Sequence, residues 1–324
     1  MSNTAIEVNK PQTKQRRILK YLWEQYSVLF ALIILIIFAS ILSEHFLNIT
    51  NITNVLRQVS IVGILSLGMT FVIILGGIDL SVGSVLALSG TVVMASQVTY
   101  SASIPVSIIL GLICGLLVGL INGLMVTYGK ITAFIATLAM MTIARSIALF
   151  YADAGAISGM NSTYAKIGNA YAFGVPIPVF IFVFMVLLSY IVLEKTVYGR
   201  HVYAVGGNMQ AARLSAISVF RVTIISYMIC GFTAAVGSII ETSRLNSIST
   251  STSGHMYELD AIAAVIIGGA SLSGGRGRIL GTLFGVLILG VLSNIMNLLN
   301  ISSYLQGVVK GIIIVAAVLL QKRN

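Results

Sequence analysis

Apolar residues run through this chain in blocks far longer than the strands and short helices of a soluble core. About 20 predominantly apolar residues suffice to cross a bilayer. Ten such segments fall near 25–43, 55–77, 81–99, 104–127, 131–151, 174–193, 221–241, 257–273, 279–298 and 303–320, and counts from eight to eleven fit the pattern. Two of the intervening stretches exceed a simple turn: 152–173 is polar and rich in Gly, Asn and Ala, and 194–220 is basic with a helical pattern of its own. Neither is long enough for an independent domain. The expected fold is therefore all-α, a polytopic bundle of about ten transmembrane helices forming one domain over 27–324. Ahead of it, Ile18, Leu19, Leu22, Trp23 and Tyr26 recur at helical spacing among Lys10, Lys14, Arg16, Arg17 and Lys20. This predicts a cytoplasmic amphipathic segment over 1–26 that lies on the membrane surface. The run Val28 to Leu42 has the character of a signal-peptide core, but the long basic leader and the membranous remainder favour an uncleaved first span.

Composition fits lipid as the main solvent. Apolar residues make up 57% of the chain and charged residues 9%, against the roughly 25% charged that a soluble domain carries. The net charge of +10 does not indicate nucleic acid, because the basic residues sit singly or in small groups between apolar runs. With the N-terminus inside, fourteen of the 19 Lys and Arg fall on the inner side: the five N-terminal ones with Lys130, Lys195, Arg200, Arg213, Arg221, Arg276, Arg278, Lys322 and Arg323. That bias predicts an even number of spans and both termini in the cytoplasm.

Signatures of catalysis are missing. The nearest approach to a phosphate-binding loop, Gly123 to Lys130, has the wrong spacing and is followed by Ile131. The Gly274-Gly-Arg-Gly-Arg278 turn misses the dinucleotide pattern and reads as an orienting, lipid- or partner-contacting turn. His45, His201 and His255 are far apart, and Cys114 and Cys230 both lie inside apolar runs, so neither a metal site nor a disulfide framework is expected. No cofactor is expected in this chain; if ATP drives it, another subunit must bind the nucleotide.

Polar groups inside the apolar runs carry the remaining information. Asp79, beside Gly77 and Ser81, has two open readings: a cap for the next helix, or a carboxylate facing an aqueous path where Gly76-Gly77 breaks a span. Asn122, Asn294 and Asn297 are uncharged and suit either interhelical hydrogen bonds or contacts to a polar solute. With Asp79 and Ser81 they form the candidate translocation pathway. Glu258 and Asp260 open the eighth segment, where negative charge suits a helix N-terminus. Arg145 and Lys310 lie in or near spans without a partner identifiable from sequence. The pairs Gly111/Gly115 and Gly115/Gly119 have the G-x-x-x-G spacing that lets helices approach closely. In the basic stretch, Gly206 and Gly207 permit a sharp turn, Asn208 suits an N-cap, and Ala211, Leu214 and Ile217 form an apolar stripe. Such a short amphipathic helix either docks on a partner or rests against its own bundle.

Five blocks resemble the ribose-type sugar permeases of ATP-binding-cassette importers. They are Gly76–Gly90 (GGIDLSVGSVLALSG), Lys130–Met141 (KITAFIATLAMM), Tyr203–Ile217 (YAVGGNMQAARLSAI), Tyr257–Thr282 (YELDAIAAVIIGGASLSGGRGRILGT) and Asn297–Gly311 (NLLNISSYLQGVVKG). They occur in family order and cover the chain from about residue 30 to its end. The resemblance implies a homodimeric, multi-pass permease of a bacterial cytoplasmic membrane, importing a monosaccharide, with ribose the first choice. It implies a separate cytoplasmic ATPase that binds Mg-ATP, and a periplasmic or extracellular sugar-binding protein. Gly206, Gly207, Asn208, Ala211, Arg213, Leu214, Ala216 and Ile217 would then belong to the ATPase-coupling helix of a loop at about 194–220. The match departs from the family pattern at Met209 and Gln210, where Glu and Ala are common, and at Ala216, where Gly is common. The competing class is an ion-coupled secondary transporter or channel. Its usual mark, a relay of ionisable residues deep in the spans, is poorly represented here. A membrane enzyme is disfavoured by the missing catalytic constellation.

Overall fold

The computed structural model describes residues 14–321, and it is almost wholly helical. The first helix, α1 (Lys14–Leu42), is continuous. The amphipathic segment expected over 1–26 is therefore not a separate helix where it is described. No Gly or Pro stands between Lys14 and Leu42 to end one; residues 1–13, like Lys322 and Arg323, lie outside the described residues. The chain continues through α2 (Ile49–Ile74), α3 (Val82–Val98), α4 (Ile104–Thr127) and α5 (Ala133–Tyr151). It then passes through β1 (Ala156–Ser158), α6 (Ser162–Asn169), β2 (Tyr171–Ala172) and β3 (Val175–Pro176). α7 (Ile177–Tyr190) runs through a wide π turn at Ile191–Lys195 into α8 (Val197–Gly207) and α9 (Met209–Leu214). The remainder is α10 (Val219–Leu245), β4 (Ser247–Ser249), α11 (Tyr257–Ile267), α12 (Ile279–Leu298) and α13 (Ser303–Gln321).

Each of the ten apolar segments contains one helix, but they are not equivalent. Among the described residues, six helices are long and apolar enough to cross a membrane: α2, α4, α5, α7 with its π turn, α10 and α12. The segment 257–273 is corrected most. Its helix α11 has only 11 residues, roughly 16 Å at 1.5 Å per residue, too short to span. Gly254 and Met256 precede it with positive φ (68° and 63°), and Gly269 follows it at φ 90°, so the backbone turns at both ends. The all-α expectation also needs a small amendment. β1 pairs antiparallel with β4, placing Ile157 opposite Ile248, and β2 with β3 forms a hairpin.

Burial is arranged for a lipid solvent. α2 is the central helix; from Val59 to Ile74 only Val62 is less than fully buried. α4 shows the opposite division of labour. Val106, Leu110, Ile113, Leu117, Ile121 and Leu124 make an exposed apolar stripe, while Gly111, Gly115, Gly119 and Gly123 face inward. Water would not tolerate an outer surface of this kind over several helices, whereas hydrocarbon does. The glycine face explains the α4–α10 contact, the most extensive in the bundle. A Cβ on Gly115 would sit 2.4 Å from the Gly231 carbonyl oxygen, and one on Gly119 would sit 2.3 Å from that of Tyr227. Small residues at i and i+4 thus bring two backbones into contact, where dispersion replaces the hydrophobic drive that lipid cannot supply.

α10 relates the two ends of the molecule. It starts just after α9 and runs 27 residues, roughly 40 Å, to β4 and its partner β1. One end is therefore a ribbon end, carrying the strands and α6; the other is a junction end, carrying α8 and α9.

Candidate functional site

At the junction end, the end of α2, the end of α8 and the loop 268–278 meet. A Cβ on Gly206 would lie 1.8 Å from the Ile74 carbonyl oxygen and 2.8 Å from the Gly275 amide nitrogen. The Gly275 N–H donates to that same Ile74 oxygen (2.8 Å), and the Tyr203 hydroxyl donates to the Gly277 oxygen (2.8 Å). Burial pushes the Tyr203 phenol up to about 12, with the Glu194 carboxylate adding to the rise, so it stays a neutral donor. Gly206 and Gly207 are thus not a sharp turn. Both complete the last turn of α8, and Gly206 serves close packing.

The change of direction comes at Asn208. Its side chain accepts from the Ala211 N–H (2.9 Å) and caps α9, as its residue type suggests. α9 is short because the chain closes it with a Schellman turn. The Ile217 N–H donates to Ala212 O and the Ala216 N–H to Arg213 O, both at 3.0 Å, with Ala216 left-handed at φ 59°. Ala216 therefore lies past the helix rather than compacting it, and its conformation accounts for a Gly in the family pattern at that position. The expected stripe is corrected accordingly. Ile217 is outside the helix and packs on the core, and Ala212 rather than Ala211 is buried. Leu214 is 91% exposed, and Met209 at the start of α9 is exposed too. Arg213 rests on the Phe220 ring (5.7 Å).

The five pathway candidates separate into three places. Asp79, Ser81 and Asn122 come together between α3, α4 and α10. The Asp79 Oδ1 accepts from the Ser81 N–H (2.9 Å) and hydroxyl (2.6 Å), and the Asn122 amide donates to the Ser81 oxygen (2.9 Å). Asp79 is 1% exposed and Asn122 is fully enclosed, with its Oδ1 unpartnered. In this conformation the carboxylate forms a local turn with Ser81 just ahead of α3, makes no cap bond to the helix's first-turn N–H groups, and is enclosed between the helices. Asn294 exchanges two amide hydrogen bonds with Asn51 (2.7 and 3.0 Å), joining α12 to the start of α2. Asn297 accepts from the Gln306 amide (2.7 Å) at the exposed end of α12.

Other polar groups have roles that sequence reasoning did not find. Arg145 donates to the Thr250 and Ser253 carbonyl oxygens, both at 2.8 Å. This clamps segment 250–256 against α5, about two thirds along that helix. A Cβ on Gly83 would lie 2.1 Å from the Gly254 oxygen, so the same segment also packs on the start of α3. α11 therefore begins part-way along the length of the bundle rather than at its end. Glu241 of α10 is buried nearby, 6% exposed. The Lys310 ammonium pairs with both Asp260 carboxylate oxygens at 2.9 Å. Carbonyl partners leave no mark in a sequence; an intramembrane Lys and Asp each calling for a counter-charge was the available signal for the last pair. Among the described residues no three His, Cys, Asp or Glu gather to hold a metal ion.

The half-helix, the broken segment before α3 and the glycine-packed junction are features of a transport scaffold rather than of a catalytic cleft. Comparison with known proteins agrees. Residues 51–318 match the family described as the permease component of branched-chain amino acid transport systems. The chain is 49% identical over 316 residues to the ribose import permease protein RbsC of Bacillus subtilis, covering 97% of this chain and 98% of that one. It is 45% identical to the protein of the same name in Haemophilus influenzae, covering 96% of each. The L-arabinose transport system permease protein AraH of Escherichia coli is 38% identical, covering 93% of this chain and 91% of that one. No solved structure matches. The chain belongs to this permease family: it is a multi-pass transport subunit of ATP-binding-cassette import systems, seated in the bacterial inner membrane.

Proposed function

We propose that this permease imports a monosaccharide, with ribose the first candidate, as half of a homodimer. The observation that carries the substrate class is the 49% identity, over nearly the whole of both chains, to a ribose import permease. The family description names amino acids, but relatives sharing 38–49% identity end to end are named for ribose and arabinose, so sugar is preferred. ATP and its Mg²⁺ bind a separate cytoplasmic ATPase that docks on the loop at 194–220, and an external binding protein delivers the sugar to the ribbon end. Proteoliposomes holding this chain, its ATPase and its binding protein should take up labelled ribose with ATP inside, in preference to leucine. Leucine uptake without ribose uptake would reverse the substrate assignment.

Ten crossings with both termini in the cytoplasm suit the architecture. The link 75–81 with α3, and segment 250–256 with α11, each make one crossing from a broken element, which keeps the number even. The junction end then carries Lys195, Arg200, Arg213, Arg276 and Arg278 and faces the cytoplasm. Ser162 and Ser215 are both exposed, on opposite ends of the bundle. A cysteine replacing Ser162 should react with an impermeant thiol reagent added outside, and one replacing Ser215 should react only after the membrane is opened. The reverse pattern would invert the topology and remove the docking argument with it.

A further inference from the structure

The ribbon end holds a cavity of about 540 Å³ that water can enter. That lies within the roughly 300–1,000 Å³ usual for small-molecule sites. Its walls are the last turns of α3 with Met94 and Gln97, the α3–α4 link with Ser101, the β1–α6 link with Ser158 and Asn161, and Asn246 between α10 and β4. Three of these four walls are links beyond helix ends, and Ser101, Ser158 and Asn161 are exposed. The cavity therefore opens to water at the end of the bundle, not to lipid along its side. Asn246 is held in place by a left-handed backbone (φ 48°), and its carbonyl oxygen accepts from the Gly159 N–H (2.9 Å), which ties two of the walls together. Gln97 Nε2 and Asn246 Oδ1 are shielded side-chain atoms with no hydrogen-bond partner in the protein. Such groups are seldom left unsatisfied. The Asn161 Oδ1 accepts from the Thr163 and Tyr164 N–H groups (both 3.1 Å), so its NH2 group is left for a ligand.

We propose that this cavity is an outer-face binding site for one uncharged monosaccharide, occupied before the sugar enters the membrane helices; this rests on the sugar-import reading above. The lining carries no Asp, Glu, Lys, Arg or His. A free amino acid would bring a carboxylate and an ammonium that find no counter-charge there, and a sugar phosphate would bring the same difficulty. A neutral polyol brings none. Gln97 offers a donor and Asn246 an acceptor, and sugar hydroxyls supply the complement of both. Met94 adds a flexible apolar surface, packed within reach of Gly159, that suits the C–H face of a sugar ring.

Two experiments on the full chain with its ATPase in proteoliposomes, without the binding protein, test this. Ser101→Cys should react with a hydrophilic maleimide added outside, the wild-type protein correcting for Cys114 and Cys230. Ribose at about ten times its dissociation constant should slow that reaction about tenfold by mass action, and leucine should not. A rate indifferent to ribose, or slowed equally by leucine, would overturn the proposal. Slowing that needs the binding protein would overturn it too, because a protein rather than a sugar would then cover the rim. The second experiment adds Gln97→Leu, which keeps the volume and removes the unpartnered donor. Its thermal unfolding should match or exceed wild type, since no hydrogen bond within the protein is lost. The ribose concentration that half-protects Ser101→Cys should rise roughly fivefold, the effect of one lost hydrogen bond. Unchanged half-protection would take Gln97 out of the site and the proposal with it. Wild-type uptake with the binding protein restored separates the two levels. No ribose uptake defeats the sugar-import reading, whereas normal uptake with no protection by ribose defeats this inference alone.

Discussion

Leu214→Glu will leave the permease folded and abundant but will separate it from its ATPase. Leu214 ends α9 with 91% of its surface open, so a carboxylate there stays in water while the chain is alone. Nothing in the permease itself is then destabilised. On docking, the same carboxylate would enter an apolar groove without a counter-charge, at a cost of several kcal/mol, enough to lower affinity roughly a thousandfold. Co-purification with the ATPase and ATP-driven uptake should both be lost, while dimerisation and membrane abundance match wild type. Ser218→Ala is the control. Ser218 precedes α10 without a side-chain cap bond and is exposed, so its hydroxyl should be dispensable. Full ATPase association by Leu214→Glu would sink the docking role and return α9 to the permease's own face.

That prediction survives a correction, and the correction shows what sequence can deliver. Periodicity located a helix after Asn208 because an N-cap and an apolar repeat are local signals. It did not locate the helix end, because a Schellman turn with Ala at the left-handed position lacks the Gly that usually announces it. The long helices were legible for a similar reason. α4 and α12 were read with the bounds they have, since lipid-facing and glycine-facing residues are both counted as apolar. The segment 257–273 was misread as a full span by the same arithmetic. Its Ala and Ile residues are apolar because α11 is buried, not because it crosses lipid, and hydropathy cannot distinguish the two.

The candidate pathway was legible only as a set of residue types. Asp79, Ser81 and Asn122 do meet, although 43 positions separate the first and last. Asn294 and Asn297 went instead to Asn51 and Gln306, contacts that depend on how α12 lies against α2 and α13. Lys310 and Asp260 are 50 positions apart, on helices whose adjacency no local rule provides. Gly206 was read as conformational freedom when its use is steric. Both demand glycine, and only the neighbours tell them apart.

Gly206→Ala should therefore damage the junction although alanine is the better helix former. At an open helical position the substitution stabilises by roughly 1 kcal/mol. Here the new methyl would stand 1.8 Å from the Ile74 carbonyl oxygen and 2.8 Å from the Gly275 nitrogen, which are backbone atoms and cannot rotate away. Either α8 lifts off the end of α2, or the hydrogen bond from Gly275 to Ile74 breaks. Overpacking a core typically costs about 1–3 kcal/mol, and a clash between two backbones belongs at the upper end or beyond. Gly207→Ala provides the comparison one residue away, because a Cβ there meets nothing within 4 Å. Thermal unfolding of the detergent-purified protein should place Gly206→Ala well below wild type and Gly207→Ala at or slightly above it. The difference bears on mechanism as well as stability. α8 leads into α9, so a push at Leu214 can reach α2 and the loop before α12 through the contact at Gly206, beside the Tyr203 bond to Gly277 and the stacking of Tyr198 on Phe71. Where Gly206→Ala protein can be recovered with its ATPase bound, ATP hydrolysis should continue while ribose uptake falls, since less of the drive reaches the membrane helices. Equal stability of the two alanine variants, with uptake intact in both, would show that the junction is looser than its geometry and that movement reaches α2 by another route.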